Sequence, residues 1–282
     1  MYRKIVNYLN THRDRQRIAI ALAKGSAMLQ LRNIDLKRPT TWEFSGFSQN
    51  GEDGILNVLR SQLTDPNKYF IEIGAADGID NNSAWLTIVE KYRGLMIEAD
   101  EELVFRARRM VGHYSLGLDI VQMFVEPNNV DKIREMSLVA EPDILSLDID
   151  GVDYYVAEAL FNCGFRPKVF VVEYNSVFGP DSTSTIEYRS GFSYTEAHDT
   201  HLYYGVSISG WRKFFNRHGY QFVTVESNGV NAFFVDPGAF RDDFLEKIEP
   251  LSFAENQLQL KKFRAGHQKQ YEKISDMRFV EI

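Results

Sequence analysis

The stretch "YFIEIGAADGIDNN", Tyr69–Asn82, decides the fold. It opens as a short apolar run that reads as a buried strand, turns through Gly74 and Gly78, and leads into "NNSAWLTIVEKY", whose spacing is helical. A strand that turns at glycine into a helix is the first half of a crossover between parallel strands. In an open parallel sheet ligands lie beyond the carboxyl ends of the strands, so the turn at Gly74 is the expected site, with Gly78 allowing close backbone approach.

The chemistry of that turn narrows the ligand. A dinucleotide site would carry G-x-G-x-x-G and hold pyrophosphate on backbone amides at a helix N-terminus. Here the turn reads Gly74-Ala75-Ala76-Asp77-Gly78, with Glu72 before it and Asp80 after it. Negative charge at that point disfavours phosphate and favours a cation. S-adenosylmethionine meets the requirement, because it lacks phosphate and carries a sulfonium and an ammonium group.

Working outward, further strands are predicted at "GLMIEAD" (94–100), "HYSLGLDIV" (113–121, the weakest), "DILSLDID" (143–150), "KVFVVEYN" (168–175), "YQFVTVES" (220–227) and "NAFFVD" (231–236). "EELVFRARRM", "VDYYVAEALFNCG" and "SISGWRKFFNRHG" supply helices between them. The alternation predicts an α/β fold with a mainly parallel sheet. No helix separates the last two strands, so they should close the sheet as an antiparallel hairpin through Ser227, Asn228 and Gly229. Before this domain (41–250), residues 1–40 read as a basic extension of one or two helices with apolar residues at Ile5, Leu9, Ile18, Leu22 and Leu29. After it, 251–282 read as a tail with one amphipathic helix through "FAENQLQLKKFRAGHQKQYEKI".

Charge is uneven. Residues 1–38 hold nine Lys or Arg against two Asp, out of 32 basic and 39 acidic residues in the whole chain. The leader thus carries about +7 and the body about −14 by subtraction, so the leader should touch something acidic: the body itself, a partner copy or an anionic membrane face. Nucleic acid is not expected as a partner, because the acidic body would repel phosphates. The apolar run Ile18–Ala23 is far below the roughly 20 residues of a membrane span, and it lacks a secretory cleavage pattern. With the lone Cys163 unable to form an internal disulfide, a cytoplasmic protein, peripheral at most to the inner membrane face, is expected.

Candidate site residues gather at the predicted strand ends. Glu98 stands 24 positions after Gly74, where an acid can take both ribose hydroxyls, with Ala99 beside it. Asp119 is placed at the adenine edge or at a mere strand end. Asp148, Asp150 and Asp153 crowd the end of one strand, and Glu173 and Asn175 the end of the next. Like charges so placed call for a cation or a proton. Asp148, Glu173 and Asn175 would suit Mg²⁺ or Mn²⁺, which could lower the pKa of a bound hydroxyl; without metal, a carboxylate would itself be the general base. The connection Ser176–Gly205 is predicted as a lid or binding loop, with His198 a candidate base and Tyr194, Tyr203 and Tyr204 facing a polar acceptor.

Taken in order, "SQNGEDGIL", "FIEIGAADGIDNNSAWL", "GLMIEAD", "DILSLDIDGVDYYV" and "VVEYNSVFGP" resemble the FkbM-type class I S-adenosylmethionine-dependent methyltransferases over about residues 47–236. The resemblance implies a Rossmann-like methyltransferase sheet, with Glu72, Gly74 and Asp77 on the methionine side of the cofactor and Glu98 at its ribose; Ala76, Gly78 and Ala99 complete the expected cofactor-binding set. It also implies O-methylation of a sugar or glycan hydroxyl, such as that of a surface polysaccharide. Asp148-Ile149-Asp150-Gly151 departs from the family's Asp-x-Glu-Gly. Asp148, Asp150, Glu173 and His198 are the expected catalytic residues. Two other functions compete: an NAD-dependent sugar oxidoreductase or epimerase, and a non-catalytic cofactor-binding scaffold in glycan assembly.

Overall fold

Apolar runs bounded by glycine and polar turns become strands, and the amphipathic runs between them become helices that cover the two faces of one sheet. The computed structural model describes residues 2–112, 114, 115 and 117–282, the side chains of residues 2–11 and of Asp242 excepted. In chain order the elements are α1 (Tyr2–Leu31), α2 (Glu52–Ser61), β1 (Tyr69–Ile73), α3 (Ala84–Ile88), β2 (Arg93–Glu98), α4 (Glu101–Met110), β3 (Leu118–Gln122), α5 (Val130–Met136), β4 (Ile144–Leu147), α6 (Asp153–Asn162), β5 (Val169–Glu173), β6 (Ser184–Ile186), α7 (Tyr194–Ala197), α8 (Ile208–Arg217), β7 (Gln221–Val225), β8 (Asn231–Val235), α9 (Asp242–Leu245), α10 (Gln257–Phe263), α11 (His267–Tyr271) and β9 (Phe279–Glu281).

The seven predicted strands form a single sheet in the order β3-β2-β1-β4-β5-β8-β7. Only β8 runs against the others, pairing antiparallel with both β5 and β7. This is the Rossmann-like arrangement with a closing hairpin. The chain runs outward from β1 to β3, then returns to lay β4 on the other side of β1, so the switch point lies between the ends of β1 and β4. One face of the sheet is covered by α5, α6 and α8, which bury Ile133, Leu160, Trp211, Phe214 and Phe215. The opposite face is covered by α2, α3 and α4, which bury Ile55, Leu59, Leu86, Val104 and Ala107.

The leader is one continuous helix, α1, docked through Ile18 and Ala21 on a satellite core of Phe44, Phe47 and Trp85. Its charge is answered by the body: Arg17 pairs with Asp77 at 2.7 Å and with Asp80 at 2.6 Å. The side chains of Ile5 and Leu9 lie outside the described residues, as do His113 and Leu116 of the weak third strand, which starts at Leu118.

Three expectations are corrected. The tail is two short helices, α10 and α11, because Arg264 takes a left-handed φ of 51° and ends α10 two residues before Gly266. The connection Ser176–Gly205 is not structureless, since β6 lies in it and pairs with β9 at the chain end. The helix after β1 stops at Ile88, and Lys91, with φ 57°, turns the chain into β2.

Candidate functional site

The site begins at the end of β1. Gly74 has φ 89°, and a Cβ there would lie 1.6 Å from the carbonyl oxygen of Asp148. Only glycine therefore allows the ends of β1 and β4 to close on each other. Ala76 holds φ 48° at the place of the second glycine of a dinucleotide fingerprint, a conformation that costs a non-glycine residue roughly 1–2 kcal/mol. Its amide donates to Glu98 Oε2 at 2.8 Å, and the Asp100 amide donates to Oε1 at 3.0 Å. Glu98 thus ties the first turn to the start of α4, where Asp100 caps the helix by accepting from the Glu102 and Leu103 amides.

Beyond these turns lies a cavity of about 540 Å³. One wing is formed by Glu98, Leu103, Met123 and Phe124, the other by Asp148, Asp150, Glu173, Phe192, Tyr204 and Leu258. Among the described residues that line it are five carboxylates (Asp80, Glu98, Asp148, Asp150 and Glu173) and no Lys, Arg or His.

Carboxylate oxygens of Asp148, Asp150 and Glu173 all lie within 4.8 Å of one another. Asp148 and Asp150 are half-buried and line the cavity. Burial, and then the charges of Asp150, Asp153 and Glu72, push the Asp148 carboxyl well above its usual range. Glu173 is raised well above its own range by burial first and then by Asp148 and Asp150. Its Oε2 is buried without a hydrogen-bond partner. Asp150 is raised by burial and holds a left-handed φ of 50° that aims it toward the same point. The Tyr204 hydroxyl, also driven up by burial and by Glu173, remains a neutral donor and accepts from Gln259 Nε2 at 3.1 Å.

Not every expected site residue joins this constellation. Gly74, Ala76, Glu98, Ala99, Asp148, Asp150 and Glu173 line the cavity. Glu72 lies beneath it, accepting from the Asn82 and Ser83 amides at 2.9 Å each, and borders an adjoining hollow of about 90 Å³ with Glu52, Asn82, Asn231 and Asp148. Asp77 turns away. Burial pushes its carboxyl up, but Arg17 at 2.7 Å and Arg106 at 2.8 Å outweigh that and hold it below the usual range, so it anchors α1 and α4. Gly78 is not among the residues lining the cavity, and a Cβ there would meet Ala107 Cβ and Val111 Cγ2 at 2.9 Å. Asp119 is exposed on β3, and the cavity is reached instead by Met123, Phe124 and Val125 just past that strand.

Asp153 is a brace, accepting from the Ile149 amide at 3.1 Å and the Gly151 amide at 2.9 Å, with its carboxyl pushed up to about 6 by burial. Asn175 is committed to the backbone: Nδ2 donates to the Leu202 and Tyr204 carbonyls at 2.8 and 3.0 Å, and Oδ1 accepts from the Val177 amide at 3.1 Å. It holds the Tyr204 segment in place and is not among the residues lining the cavity, whereas Asp150 joins Asp148 and Glu173 in the acidic trio. His198 bonds through Nδ1 to the Thr200 hydroxyl at 2.8 Å and is not among the residues lining the cavity.

Several solved structures are similar to parts of this chain. They include an O-methyltransferase from Bacillus cereus in complex with S-adenosylhomocysteine, 15% identical, with 78% of this chain and 89% of that chain covered and a TM-score of 0.41. The methyltransferase PaMTH1 of Podospora anserina, bound to the same product, is 12% identical over 60% of this chain and 71% of that chain, with a TM-score of 0.40. TrmK of M. capricolum, again with S-adenosylhomocysteine, is 9% identical over 64% of this chain, with a TM-score of 0.38; the match spans 65% of TrmK's length. No protein-family model and no curated protein matches the chain.

Reading the sequence alone missed the wall contributed by the tail. Asn256 and Leu258 line the cavity, and Gln259 reaches Tyr204. The tail is folded back by the Tyr174 hydroxyl, which donates to the Ala254 carbonyl at 2.7 Å, and by the Asn256 amide, which donates to Ser176 Oγ at 2.9 Å. "AENQ" was legible as a helix start with Asn256 as cap; its distance from the site in sequence hid its place in space. Phe192 was a second omission, brought in by packing against Gly151, where a Cβ would lie 3.1 Å from its ring.

Proposed function

We propose that the protein is an S-adenosylmethionine-dependent O-methyltransferase of the FkbM type, acting on a hydroxyl of a sugar or glycan such as a surface polysaccharide. The observation that carries this reading is the charge of the cavity, with five carboxylates and no basic residue among its described lining. A pyrophosphate would be repelled there, which counts against a nicotinamide dinucleotide, whereas a sulfonium and an ammonium would be attracted. The residues fit such a cofactor: Glu98 retains free lone pairs for a ribose diol, and Met123, Phe124 and Val125 offer an apolar slot for a base. When bound, the cofactor supplies a methyl group on a positively charged sulfur.

Asp148, Asp150 and Glu173 are placed to bind and orient the acceptor hydroxyl and to take its proton, since burial and mutual repulsion make them more basic than ordinary carboxylates. Tyr204, whose hydroxyl is kept protonated by burial and by the Glu173 charge, lines the same wall as Glu173. The same trio would suit Mg²⁺ or Mn²⁺, and the unpartnered Glu173 Oε2 supports that use. A cation there would lower the pKa of the hydroxyl. Peripheral contact of α1 with an anionic inner membrane face belongs to the same proposal, supported by exposed Arg13, Arg15 and Lys24. No helix among the described residues is long and apolar enough to cross a membrane.

Calorimetry tests the reading. S-adenosylhomocysteine should bind and NAD should not, and the opposite result would transfer the protein to the oxidoreductases. Release of S-adenosylhomocysteine on a cell-envelope glycan fraction should then fall with EDTA and return with Mg²⁺ or Mn²⁺. Full activity after exhaustive chelation would leave proton removal to the carboxylates alone.

A further inference from the structure

A second groove, of about 290 Å³, lies on the side of the molecule formed by α6 and the turn after β3. Its lining includes Asn128, Tyr155, Glu158, Asn162 and Tyr188. The two tyrosines form an angled platform, with ring centroids 5.2 Å apart and an interplanar angle of 60°. Tyr155 is fixed in that pose because its hydroxyl donates to the Ile186 carbonyl at 3.0 Å, while Tyr188 is 38% exposed. Around the platform stand three polar side chains, Asn128, Glu158 and Asn162, with no side-chain hydrogen bond to a described residue; Glu158 acts on His218 through its charge alone. Glu158 and Asn162 lie four residues apart on α6 and so share one face.

Two chain segments contribute to both this groove and the main cavity. Phe124 and Val125 line the cavity, and Asn128 lies three residues further on; Phe192 lines it from the other side, four residues after Tyr188. The two segments are pinned to each other, as a ridge, by Glu126 Oε1, which accepts from Ser190 Oγ at 2.7 Å and from the Gly191 amide at 2.9 Å. A chain-like acceptor with one ring at the acidic trio would cross this ridge and lay a further ring on the tyrosines.

We infer that the groove is a subsite for an additional ring of an uncharged saccharide chain. Aromatic faces receive the C–H face of a sugar ring, and unpaired amide and carboxylate groups at its edge match vicinal hydroxyls as combined donors and acceptors. The lining holds a carboxylate and no cation, which excludes uronic acid chains at neutral pH. The inference rests on the glycan-acceptor reading above and narrows it from a sugar hydroxyl in general to one on a neutral chain of two or more rings.

The test is saturation-transfer NMR on the full chain with maltotriose, cellotriose, laminaritriose, chitotriose and trigalacturonate. At least one neutral trisaccharide should bind, and Tyr188→Ala should weaken it about tenfold, with Asn162→Ala also weakening it. Trigalacturonate should not bind. Both residues are exposed, so the variants should fold, which unchanged S-adenosylhomocysteine binding by calorimetry would confirm. If no neutral trisaccharide shows binding that depends on Tyr188, the subsite does not exist. That failure is separable from failure of the methyltransferase reading, which wild-type binding of S-adenosylhomocysteine reports by itself.

Discussion

Asp148 is held by two opposing constraints. Its carbonyl oxygen packs against Gly74 and its amide donates to the Ile73 carbonyl at 3.0 Å, which holds its backbone to β1, while its carboxylate shares a 4.8 Å cluster with Asp150 and Glu173. The protein therefore keeps unfavourable negative charge where a cationic reactant or an acceptor proton would relieve it. Replacing Asp148 by Asn preserves shape and removes one charge, and we expect methyl transfer to fall by roughly 100- to 10,000-fold. Affinity for S-adenosylhomocysteine, whose sulfur is neutral, should change little, and preference for the charged substrate form over it should shrink. In the wild type, activity should rise with pH through the range where the raised carboxyls lose their protons. In Asp148→Asn the acid limb of the kcat/KM profile should move to lower pH, because Glu173 loses its most repulsive neighbour. An unmoved limb would remove the trio from the chemistry. The acids of this trio were legible because hydrophobic strands ending in carboxylates announce themselves in sequence. Asp77 was misplaced because its partner Arg17 is 60 residues away, and such an ion pair leaves no local signal.

At the level of elements, the sheet was legible from the alternation of buried strands and amphipathic helices, since both periods are local properties of the chain. β6 and β9 were not, because three residues each, paired across nearly a hundred positions, carry too little pattern. The docking of α1 was equally hidden, since it depends on bare backbone meeting a ring. A Cβ on Gly25 would lie 2.4 Å from Trp85 Cζ3, and Trp85 is buried in edge contact with Phe44, ring centroids 5.0 Å apart. Alanine should favour an isolated helix by about 1 kcal/mol, whereas overpacking a closed core costs about 1–3 kcal/mol. Gly25→Ala should thus loosen α1 despite its better helix propensity. Hydrogen exchange should quicken across residues 12–31 and at Trp85. Slower exchange there would show that the contact with Trp85 does not govern docking.

For the whole molecule, the net charge of −7 understates how much acid is held inside. Burial pushes Asp53 and Glu72 up to about 7 and Glu226 up to about 8. Unfolded carboxyls titrate near 4, so between that value and about 8 the folded chain binds more protons than the unfolded one. Stability from these groups is present in full in acid and is lost as pH rises through their folded values. The Tm of the ligand-free protein should therefore fall from about pH 5 to about pH 8, by a few degrees for each kcal/mol lost. The raised carboxyls of Asp148, Asp150 and Glu173 in the cavity add to that loss, and a cation bound beside them opposes it by offsetting their negative potential. S-adenosylmethionine should accordingly raise Tm more at about pH 8 than at about pH 6, and by more than S-adenosylhomocysteine does at equal concentration. Calorimetric scans at the two pH values decide the matter: a Tm that rises with pH, or equal protection by the charged and neutral forms, would mean that interior acid does not set the cavity's preference for a cation.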